Sequence, residues 1–328
     1  MTHDLPAAIR AALARLAEGR RIASLKARHA DVSGHYRAGG ASSAVIDTDE
    51  AVAAYALARM PATYAAARHV LLRLVEACPE CAPQTALDIG CGPGTALIAA
   101  LDAFPTLRSI AGIDHSPLFL RLAAALLGET GVPAGSAASL LAGDMTAAAA
   151  APADLVLCSY ALVELADPVA AATVERAWAL TRQLLILVEP GSRAGFARIK
   201  AARKALIAAG ATILAPCTHQ AACPMADPDW CHFPVRVQRS REHRLLKGGE
   251  VPFEDEKFSY LIAARAIPAR TGVSGRIIAP PERTKAGTTL SLCSGDGLAD
   301  RVFRARDKAD RAVRKLAWGD ELPSQQDR

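Results

Sequence analysis

Three cysteines lie close together in the segment CTHQAACPMADPDWC, at Cys217, Cys223 and Cys231. Cysteine thiolates are common ligands of zinc ions and of iron–sulfur clusters. The intervals of five and seven residues between these cysteines differ from the C-x2-4-C pairs of zinc fingers. Three thiols on an irregular loop suit an iron–sulfur cluster, which takes four ligands, so the segment indicates most of one cluster site.

The fourth ligand has several candidates. Cys293, in LSLCSGDG, is the only cysteine after the segment, and as a ligand it would tie its own part of the chain to the other three. The rival fourth ligands are His219, His232 and His243, and a zinc ion bound by three cysteines and one histidine is the rival metal site. The remaining cysteines are predicted to be structural: Cys78 and Cys81 in CPEC, Cys91 and Cys158.

A glycine-rich turn occurs in LDIGCGPGTA, between a predicted strand and a predicted helix. Gly90, Gly92 and Gly94 form a D-x-G-x-G-x-G pattern, which differs from the G-x-G-x-x-G of dinucleotide-binding loops. Glycines allow a sharp turn and a close approach of the backbone to a ligand. Asp88, at the end of the strand, is placed to accept a hydrogen bond from an ammonium group, directly or through water.

The ends of the next predicted strands carry further polar groups. The second strand ends in Asp114, where a carboxylate can accept bonds from both hydroxyls of a ribose. The third ends before Asp144 and Met145, which could contact an adenine ring, and the fourth ends in CSYALVEL, beneath a sulfonium group. These four strand ends together indicate a nucleoside-containing cofactor much more specifically than a glycine motif alone.

Strands and helices alternate through the middle of the chain, which predicts βαβ units and a mostly parallel sheet. The predicted strands are TALDIG, SIAGID, SLLAGD, ADLVLCSYAL, QLLILVEPG, ATILAP and KFSYLIAAR. Helical periodicity predicts further helices in residues 5–30 and 50–77. The cysteine segment falls in the connection of about 40 residues before the last strand, and a connection of that length needs an organiser such as a metal centre.

The strand ends and their order resemble the class I S-adenosylmethionine-dependent methyltransferases over residues 83–265. This resemblance implies an α/β fold with a seven-stranded Rossmann-like sheet, whose last strand is antiparallel, and it implies S-adenosylmethionine as cofactor. No [DN]-P-P-[FY] tetrad or Pro-Cys nucleophile pair follows the fourth strand. Glu164 and Glu189 lie near strand ends without a nameable proton-transfer partner, so the residues do not decide whether a methyl group is transferred.

Three regions are predicted from these patterns. Residues 1–82 form an N-terminal helical region, and residues 83–265 form the methyltransferase-like domain with a cysteine-rich insert at 216–250. Residues 266–328 form a small β module, which ends in a basic helix at 302–317 and a loose tail.

Charge is unevenly distributed between the two ends of the chain. Residues 1–235 hold 19 Lys and Arg against 20 Asp and Glu, whereas residues 236–328 hold 19 against 13. A basic C-terminal part is compatible with a nucleic-acid partner or with an ordinary solvated surface. Phosphate contacts are predicted for basic side chains of this part: Arg236, Arg239, Arg241, Arg244, Lys247, Arg276, Arg283 and Lys285.

The N-terminal segment lacks the continuous apolar stretch of a signal peptide, and no apolar run is long enough to span a membrane. Asp4, Glu18 and a lack of serine argue against an organelle transit peptide. A cysteine-containing chain without a disulfide framework favours a reducing compartment. We therefore expect a cytoplasmic monomer without a membrane partner.

Four stretches are similar to the mitochondrial small-ribosomal-subunit methyltransferase-like assembly factors and their bacterial relatives. They are PCTHQAACPMADPDWCHFPVRVQRS, EDEKFSYLIAAR, ARMPATYAA and VRKLAWGD, and the resemblance covers nearly the whole chain. It implies a [4Fe-4S] cluster on Cys217, Cys223, Cys231 and Cys293, and binding to the ribosomal RNA of the small subunit. The mitochondrial members act as assembly factors.

Three functions are therefore compared. The first is a cluster-bearing, S-adenosylmethionine-binding factor that acts on the small ribosomal subunit and possesses or lacks RNA methyltransferase activity. The second is a non-catalytic assembly factor in which both cofactors are structural. The third is a small-molecule methyltransferase with a structural zinc site.

Overall fold

A computed structural model describes residues 3–37, 45–130, 137–269, 272–307, 310 and 312–324. Its helices are α1 Ala7–Ala17, α2 Ile22–Arg37, α3 Asp49–Ala77, α4 Thr95–Ala103, α5 Pro117–Glu129, α6 Asp167–Leu180, α7 Arg193–Ala208 and α8 Arg241–Lys247. Its strands are β1 Thr85–Ile89, β2 Ser109–Asp114, β3 Ala137–Ala142, β4 Ala153–Ser159, β5 Thr181–Pro190, β6 Thr212–Ala215, β7 Phe233–Gln238, β8 Phe253–Ala264, β9 Val273–Ile277, β10 Glu282–Arg283, β11 Gly287–Ser294, β12 Gly297–Arg304 and β13 Glu321–Pro323.

The central sheet has the strand order β3-β2-β1-β4-β5-β8-β6, in which β1 to β5 are parallel and β8 is antiparallel to β5 and β6. This order confirms the predicted α/β fold with a Rossmann-like sheet of the methyltransferase type. The inner strands are apolar along their length because helices cover both faces of the sheet. The carboxyl ends of β1, β2, β3 and β4 therefore lie along one edge.

An eighth strand, which the sequence patterns did not indicate, belongs to the same sheet. β7 pairs with the first half of β8, from Phe233 opposite Phe258 to Gln238 opposite Phe253. β6 pairs with the second half of β8, so β6 and β7 occupy the same side of one long strand. The cysteine segment leaves that side after Ala215 and returns to it at Phe233.

The predicted N-terminal helical region consists of three helices. The long helix α3 begins after Thr48, whose side chain accepts a hydrogen bond from the amide of Ala51. Most of its central side chains are buried, and many are alanines, which let it pack closely against α2, α4, β7 and β8. Gly19 separates α1 from α2, where the sequence pattern predicted one continuous helix at 5–30.

The C-terminal β module forms a second, antiparallel sheet with the order β10-β11-β9-β13, and β12 pairs with β11. It has its own small core, which consists of Ile277, Leu290, Leu292, Phe303, Val313 and Leu322. The basic helix predicted at 302–317 is wrong for the residues that the structure describes there. β12 pairs with β11 in a hairpin up to Arg304 opposite Gly287, so residues 302–304 belong to a strand. A 3₁₀ turn at Ala312–Lys315 is the helical element described after it. Pairing with β11 therefore outweighs helical propensity.

Arg276, on β9, connects the β module to the central sheet. Its side chain is only 2% exposed. The guanidinium donates to the carbonyl of Pro216 at 2.6 Å, to the carbonyl of Gly319 at 2.9 Å and to the Glu321 carboxylate at 2.7 Å. Since Pro216 directly follows β6, this one side chain joins the end of the first sheet to two segments of the second.

We expect Arg276→Gln to lower the free energy of unfolding by about 3 kcal/mol, because it breaks a buried, charge-assisted network. Arg283→Gln is the matched control. Arg283 also bonds backbone carbonyls but is exposed, so its loss should cost less than about 1 kcal/mol. Urea unfolding followed by circular dichroism measures both values, and equal effects of the two substitutions would contradict the proposed connection.

Candidate functional site

A cavity of about 400 Å³ opens at the carboxyl edge of the central sheet. Residues that follow β1, β2, β3 and β4 line it, and α3 and α5 contribute Tyr55 and Phe119. Six of the seven residues predicted to contact a cofactor are in its lining: Asp88, Gly90, Gly92, Asp114, Asp144 and Met145. Gly94 lies just outside, at the N-terminus of α4.

The glycine turn has a backbone that few other residues could adopt. Gly90, Gly92 and Gly94 all have left-handed φ values, of 74°, 51° and 78°. A Cβ atom on Gly90 would lie 2.9 Å from the Cβ of Ala161, so a larger residue would displace the residues after β4. The turn thus brings the ends of β1 and β4 close together beside the cavity.

Asp114 is held in place by this turn. Its Oδ2 accepts a hydrogen bond from the amide of Gly92 and its Oδ1 accepts one from the amide of Ser116, both at 2.8 Å. Each carboxylate oxygen has a further lone pair for a ligand hydroxyl. Asp144 is more exposed, and the amide and hydroxyl of Thr146 keep the pKa of its carboxyl below the usual range.

Asp88 is a buried carboxyl group with an unused acceptor. It is 1% exposed, and its Oδ1 atom has no hydrogen-bond partner. Burial, and then the negative charge of Asp114, raise the pKa of Asp88 to about 8. A carboxylate in this position is costly unless a ligand supplies a positive group or a donor. Asp88 thus presents one buried oxygen atom without a partner beside the cavity.

Tyr160 and its partners are functional candidates that the sequence reasoning missed. Tyr160 lines the cavity directly after β4, with an unusual φ of 58°. Its hydroxyl donates to Glu256 on β8 at 3.0 Å, and Arg59 on α3 pairs with the same carboxylate at 3.1 Å. All three residues lie in stretches singled out in the sequence, Arg59 in ARMPATYAA, Tyr160 in CSYALVEL and Glu256 in EDEKFSYLIAAR, but no pattern connected them.

Other acidic and thiol groups near the strand ends have structural surroundings. Cys158 is fully buried, and burial raises the pKa of its thiol well above the usual value, which is unsuited to a nucleophile. Glu189 is also fully buried and accepts bonds from the amides of Leu162 and Val163. Cys91 fills the space beside Gly112, as predicted. Cys78 and Cys81 are joined by a disulfide bond. Of this group, Cys91 and Glu164 line the cavity.

A second, smaller cavity of about 40 Å³ lies between α7, the cysteine segment and β11, and we call it the cysteine cavity. All four predicted metal ligands line it: Cys217, Cys223, Cys231 and Cys293. Three come from the loop between β6 and β7 and the fourth from β11 of the second sheet. Tertiary structure therefore brings Cys293 to the other three, although it lies 62 positions after Cys231.

The four cysteines interact electrostatically with one another. Burial raises the pKa of the thiols of Cys217 and Cys231, and it raises that of Cys293 to about 12. Among the described residues, no group of three or more His, Cys, Asp or Glu side chains stands in position to hold a metal ion. The cysteines thus share one cavity without closing on a single point.

The rival histidine ligands occupy different places. His219 lies beside the cavity, with its Nε2 atom 3.7 Å from the Sγ of Cys293. His232 packs between the rings of Trp230 and Trp318, at centroid distances of 5.2 and 5.0 Å. His243 is buried in α8 next to Glu254. None of the three lines the cysteine cavity.

The basic residues predicted to contact RNA divide into two groups. Arg239 and Lys247 converge on Glu254 at 2.8 and 2.6 Å, and Arg276 is buried as described above. These three side chains mainly stabilise the fold. The exposed group consists of Arg236, Arg241, Arg244, Arg283 and Lys285. Within it, Arg236 pairs with Asp255 at the surface.

Comparisons with known proteins give one family. The family model described as mitochondrial small ribosomal subunit Rsm22 matches residues 49–323. Human ribosome assembly protein METTL17, mitochondrial, is 27% identical over 290 residues, which cover 82% of this chain and 62% of that protein. The Schizosaccharomyces pombe Rsm22-cox11 tandem protein 2, mitochondrial, is 26% identical over 328 residues, which cover 84% of this chain and 43% of that protein. The chain thus spans roughly half of the length of these relatives.

Among solved structures, Synechocystis magnesium protoporphyrin IX methyltransferase with bound SAM is similar at 17% identity and a TM-score of 0.40. The similarity covers 61% of this chain and 78% of that chain.

The predicted cytoplasmic location is wrong, since the family and the curated relatives are described as mitochondrial. Cysteine usage does not distinguish between the cytoplasm and other reducing compartments. Among the described residues, no helix is long and apolar enough to cross a membrane.

We expect Asp88→Asn to flatten the dependence of stability on pH. The pKa of about 8 in the folded chain exceeds the value of about 4 expected when unfolded, so between these values the folded state binds the additional proton. The free energy of unfolding should therefore fall by about 1.4 kcal/mol per pH unit as the pH rises through this window. Asparagine removes that contribution.

Urea unfolding at pH 5, 6 and 7 measures this slope. The exposed Asp47→Asn serves as control and should keep the wild-type slope. Glu189, whose pKa is also raised to about 8 by burial, contributes in the same direction in all variants. An unchanged slope in Asp88→Asn would show that Asp88 is ionised in the folded chain.

Proposed function

Because the chain belongs to the Rsm22 family of mitochondrial small ribosomal subunit proteins, we propose that it is an assembly factor that acts on small-subunit ribosomal RNA. We further propose that it binds S-adenosylmethionine in the cavity at the sheet edge and an iron–sulfur cluster in the cysteine cavity. The observation that carries this proposal is the convergence of Cys217, Cys223, Cys231 and Cys293 on one cavity. A small-molecule substrate is disfavoured by membership of this family.

Several features of the first cavity support S-adenosylmethionine. The Asp114 carboxylate is fixed by two backbone amides and keeps free lone pairs for the ribose hydroxyls. The unused oxygen of Asp88 suits the ammonium group of the methionine part. The left-handed turn at Gly90 and Gly92 leaves the backbone open to the ligand. Bound there, S-adenosylmethionine would supply an electrophilic methyl group, and the chain would hold and orient it.

The cysteine cavity supports an iron–sulfur cluster more than a zinc ion. A tetrahedral zinc site with Zn–S bonds of about 2.3 Å holds its sulfur atoms about 3.8 Å apart. Four cysteines line the one cavity, and four thiolates are the usual ligand set of an iron–sulfur cluster. We propose Cys217, Cys223, Cys231 and Cys293 as the ligands. The centre would link the β6–β7 loop to β11.

The RNA-binding surface is proposed at α8 and the start of the β module. Arg241 and Arg244 are exposed on α8, and Lys285 is exposed in the turn between β10 and β11. β7, which leads to α8, directly follows Cys231, so the cluster site would set the position of these cations. Backbone phosphates are the expected contacts of such side chains.

A non-catalytic version of this function is favoured by one observation. The thiol of Cys158 is buried, and the hydroxyl of Tyr160 donates to Glu256, so neither is placed as a nucleophile or general base. Without such a group, methyl transfer would depend only on the positioning of S-adenosylmethionine and the acceptor RNA. Incubation of immature small subunits with labelled S-adenosylmethionine distinguishes the two versions. Label in the ribosomal RNA would support methyl transfer by this chain.

We expect Asp114→Asn to weaken S-adenosylmethionine binding at least about tenfold, since an amide cannot accept on both sides as the carboxylate does. Isothermal titration calorimetry of the full chain measures the dissociation constant. Asp47→Asn, outside the cavity, should bind like the wild type. Equal affinities of Asp114→Asn and wild type would remove Asp114 from the proposed site.

We expect the anaerobically purified chain to be brown and to contain about four irons. Cys223→Ser should lose iron and binding to small ribosomal subunits together, because the loop that leads to α8 would no longer be held. Metal analysis and co-sedimentation with subunits measure the two losses. Cys81→Ser, outside the cysteine cavity, should keep both. A colourless protein with one zinc would refute the cluster, and full subunit binding without iron would show that the cluster does not shape the surface.

A further inference from the structure

One face of α7 forms a wall of the cysteine cavity. Its contributing residues are Phe196, Ile199, Lys200 and Arg203, which follow the helical spacing of three and four positions. Two of these side chains are cationic. The Lys200 ammonium group donates to the carbonyl of Met225 at 2.6 Å and thereby holds the cysteine segment.

Arg203 is the more deeply placed of the two cations. It is 5% exposed and lines the cavity beside Cys217. One Nη2–H donates to the carbonyl of His219 at 2.8 Å, whereas the buried Nε atom has no hydrogen-bond partner. The guanidinium also interacts with the side chain of Cys217, and no ion pair with a carboxylate is seen for it within the described part of the chain. The other buried arginine nearby, Arg276, has Glu321 as its partner.

A buried arginine normally has an anionic partner. Removing a guanidinium from water costs several kcal/mol, and an arginine remains charged in proteins because its intrinsic pKa is so high. The carbonyl of His219 and the side chain of Cys217 provide only part of the compensation, and the unused buried Nε–H adds to the cost. The arrangement around Arg203 is therefore that of a cation whose anion is supplied by the adjacent cavity.

The proposed occupant has the matching charge. An iron–sulfur cluster or a zinc ion with four thiolate ligands carries a net negative charge. The cavity is lined by apolar side chains such as Phe196, Ile199 and Phe233, so a centre there is poorly screened by water. A protein sets the reduction potential of a cluster partly through hydrogen bonds to its sulfur atoms and through nearby charges.

We propose that Arg203 is the counterion of the metal–thiolate centre and donates its free Nε–H toward the centre's sulfur atoms. This inference rests on the proposed cluster in the same cavity. Arg203 is a positioning residue with two consequences for the centre. Its charge slows metal loss, and it favours the reduced cluster, because reduction adds an electron beside a fixed cation.

The test compares Arg203→Gln, Arg203→Lys and Lys204→Gln with the wild type, each as the full chain purified without oxygen. Lys204 is the matched control, since it is exposed on the same helix and its substitution removes the same charge. We expect Arg203→Gln to have a more negative midpoint potential than the wild type. Its release of iron to a chelator should be about tenfold faster, the range found for other outer-shell partners. Arg203→Lys should restore most of both properties, and Lys204→Gln should change neither.

The outcomes separate this inference from the proposed function. A wild-type chain without a metal centre would refute the cluster itself. A loaded Arg203→Gln with the potential and release rate of Lys204→Gln would refute the role of Arg203. Folded Arg203→Gln and Arg203→Lys chains that both fail to hold metal would also refute it, since shape and not charge would then be decisive. If Arg203→Lys is loaded and Arg203→Gln is not, the counterion role is supported. Should the metal be zinc, the release rates provide the same comparison.

Discussion

The long strand β8 is the constraint on which both cavities depend. Its second half completes the parallel sheet against β5 and β6, and its first half extends past that sheet to pair with β7. Glu256, in the extending half, accepts a hydrogen bond from the hydroxyl of Tyr160, which lines the cavity at the sheet edge. Three positions further, Ser259 donates to the carbonyl of Cys231 at 2.7 Å. The same strand thus contacts Tyr160 of the first cavity and Cys231 of the cysteine cavity. Because β8 is antiparallel to β5, its first half extends beyond the edge where the parallel strands end.

The buried ionisable side chains differ in whether another residue of the protein satisfies them. Arg59 and Glu256 neutralise each other between α3 and β8, and Arg276 and Glu321 do so between β9 and β13. Asp88 and Arg203 are buried beside the two cavities, and each keeps one polar atom without a hydrogen-bond partner, Oδ1 of Asp88 and Nε of Arg203. An unsatisfied buried polar atom is costly inside a protein, so these two atoms mark where a ligand in either cavity would gain a hydrogen bond.

The surplus of basic residues in the C-terminal part is smaller at the surface than in the sequence. Arg239 and Lys247 lie against Glu254, and Arg276 is internal. The cations left for a nucleic acid lie mainly on α8 and in the turn after β10. α8 follows β7 of the central sheet, whereas the turn after β10 is part of the β module. The two sheets meet at Arg276 and the cysteine cavity. The relative placement of these cations therefore depends on the joint between the two sheets.

The sequence by itself determined the succession of strands and helices along the chain, the glycine turn and most of the polar residues at the strand ends, because these depend on short-range patterns. A strand followed by glycines and an acidic group at the next strand end has few other structural interpretations, and six of those residues do line one cavity. It did not indicate β7, whose alternating residues lie within a stretch that reads as a basic loop, or the strand β12 in place of a helix. Long-range pairing decided both, and no local propensity records it. Likewise, the sequence contained the four cysteines and Arg203, but only the tertiary structure placed Cys293 and the α7 face around the same cavity. Packing between elements distant in the chain also decided which arginines are buried, since burial depends on neighbours that local sequence does not specify.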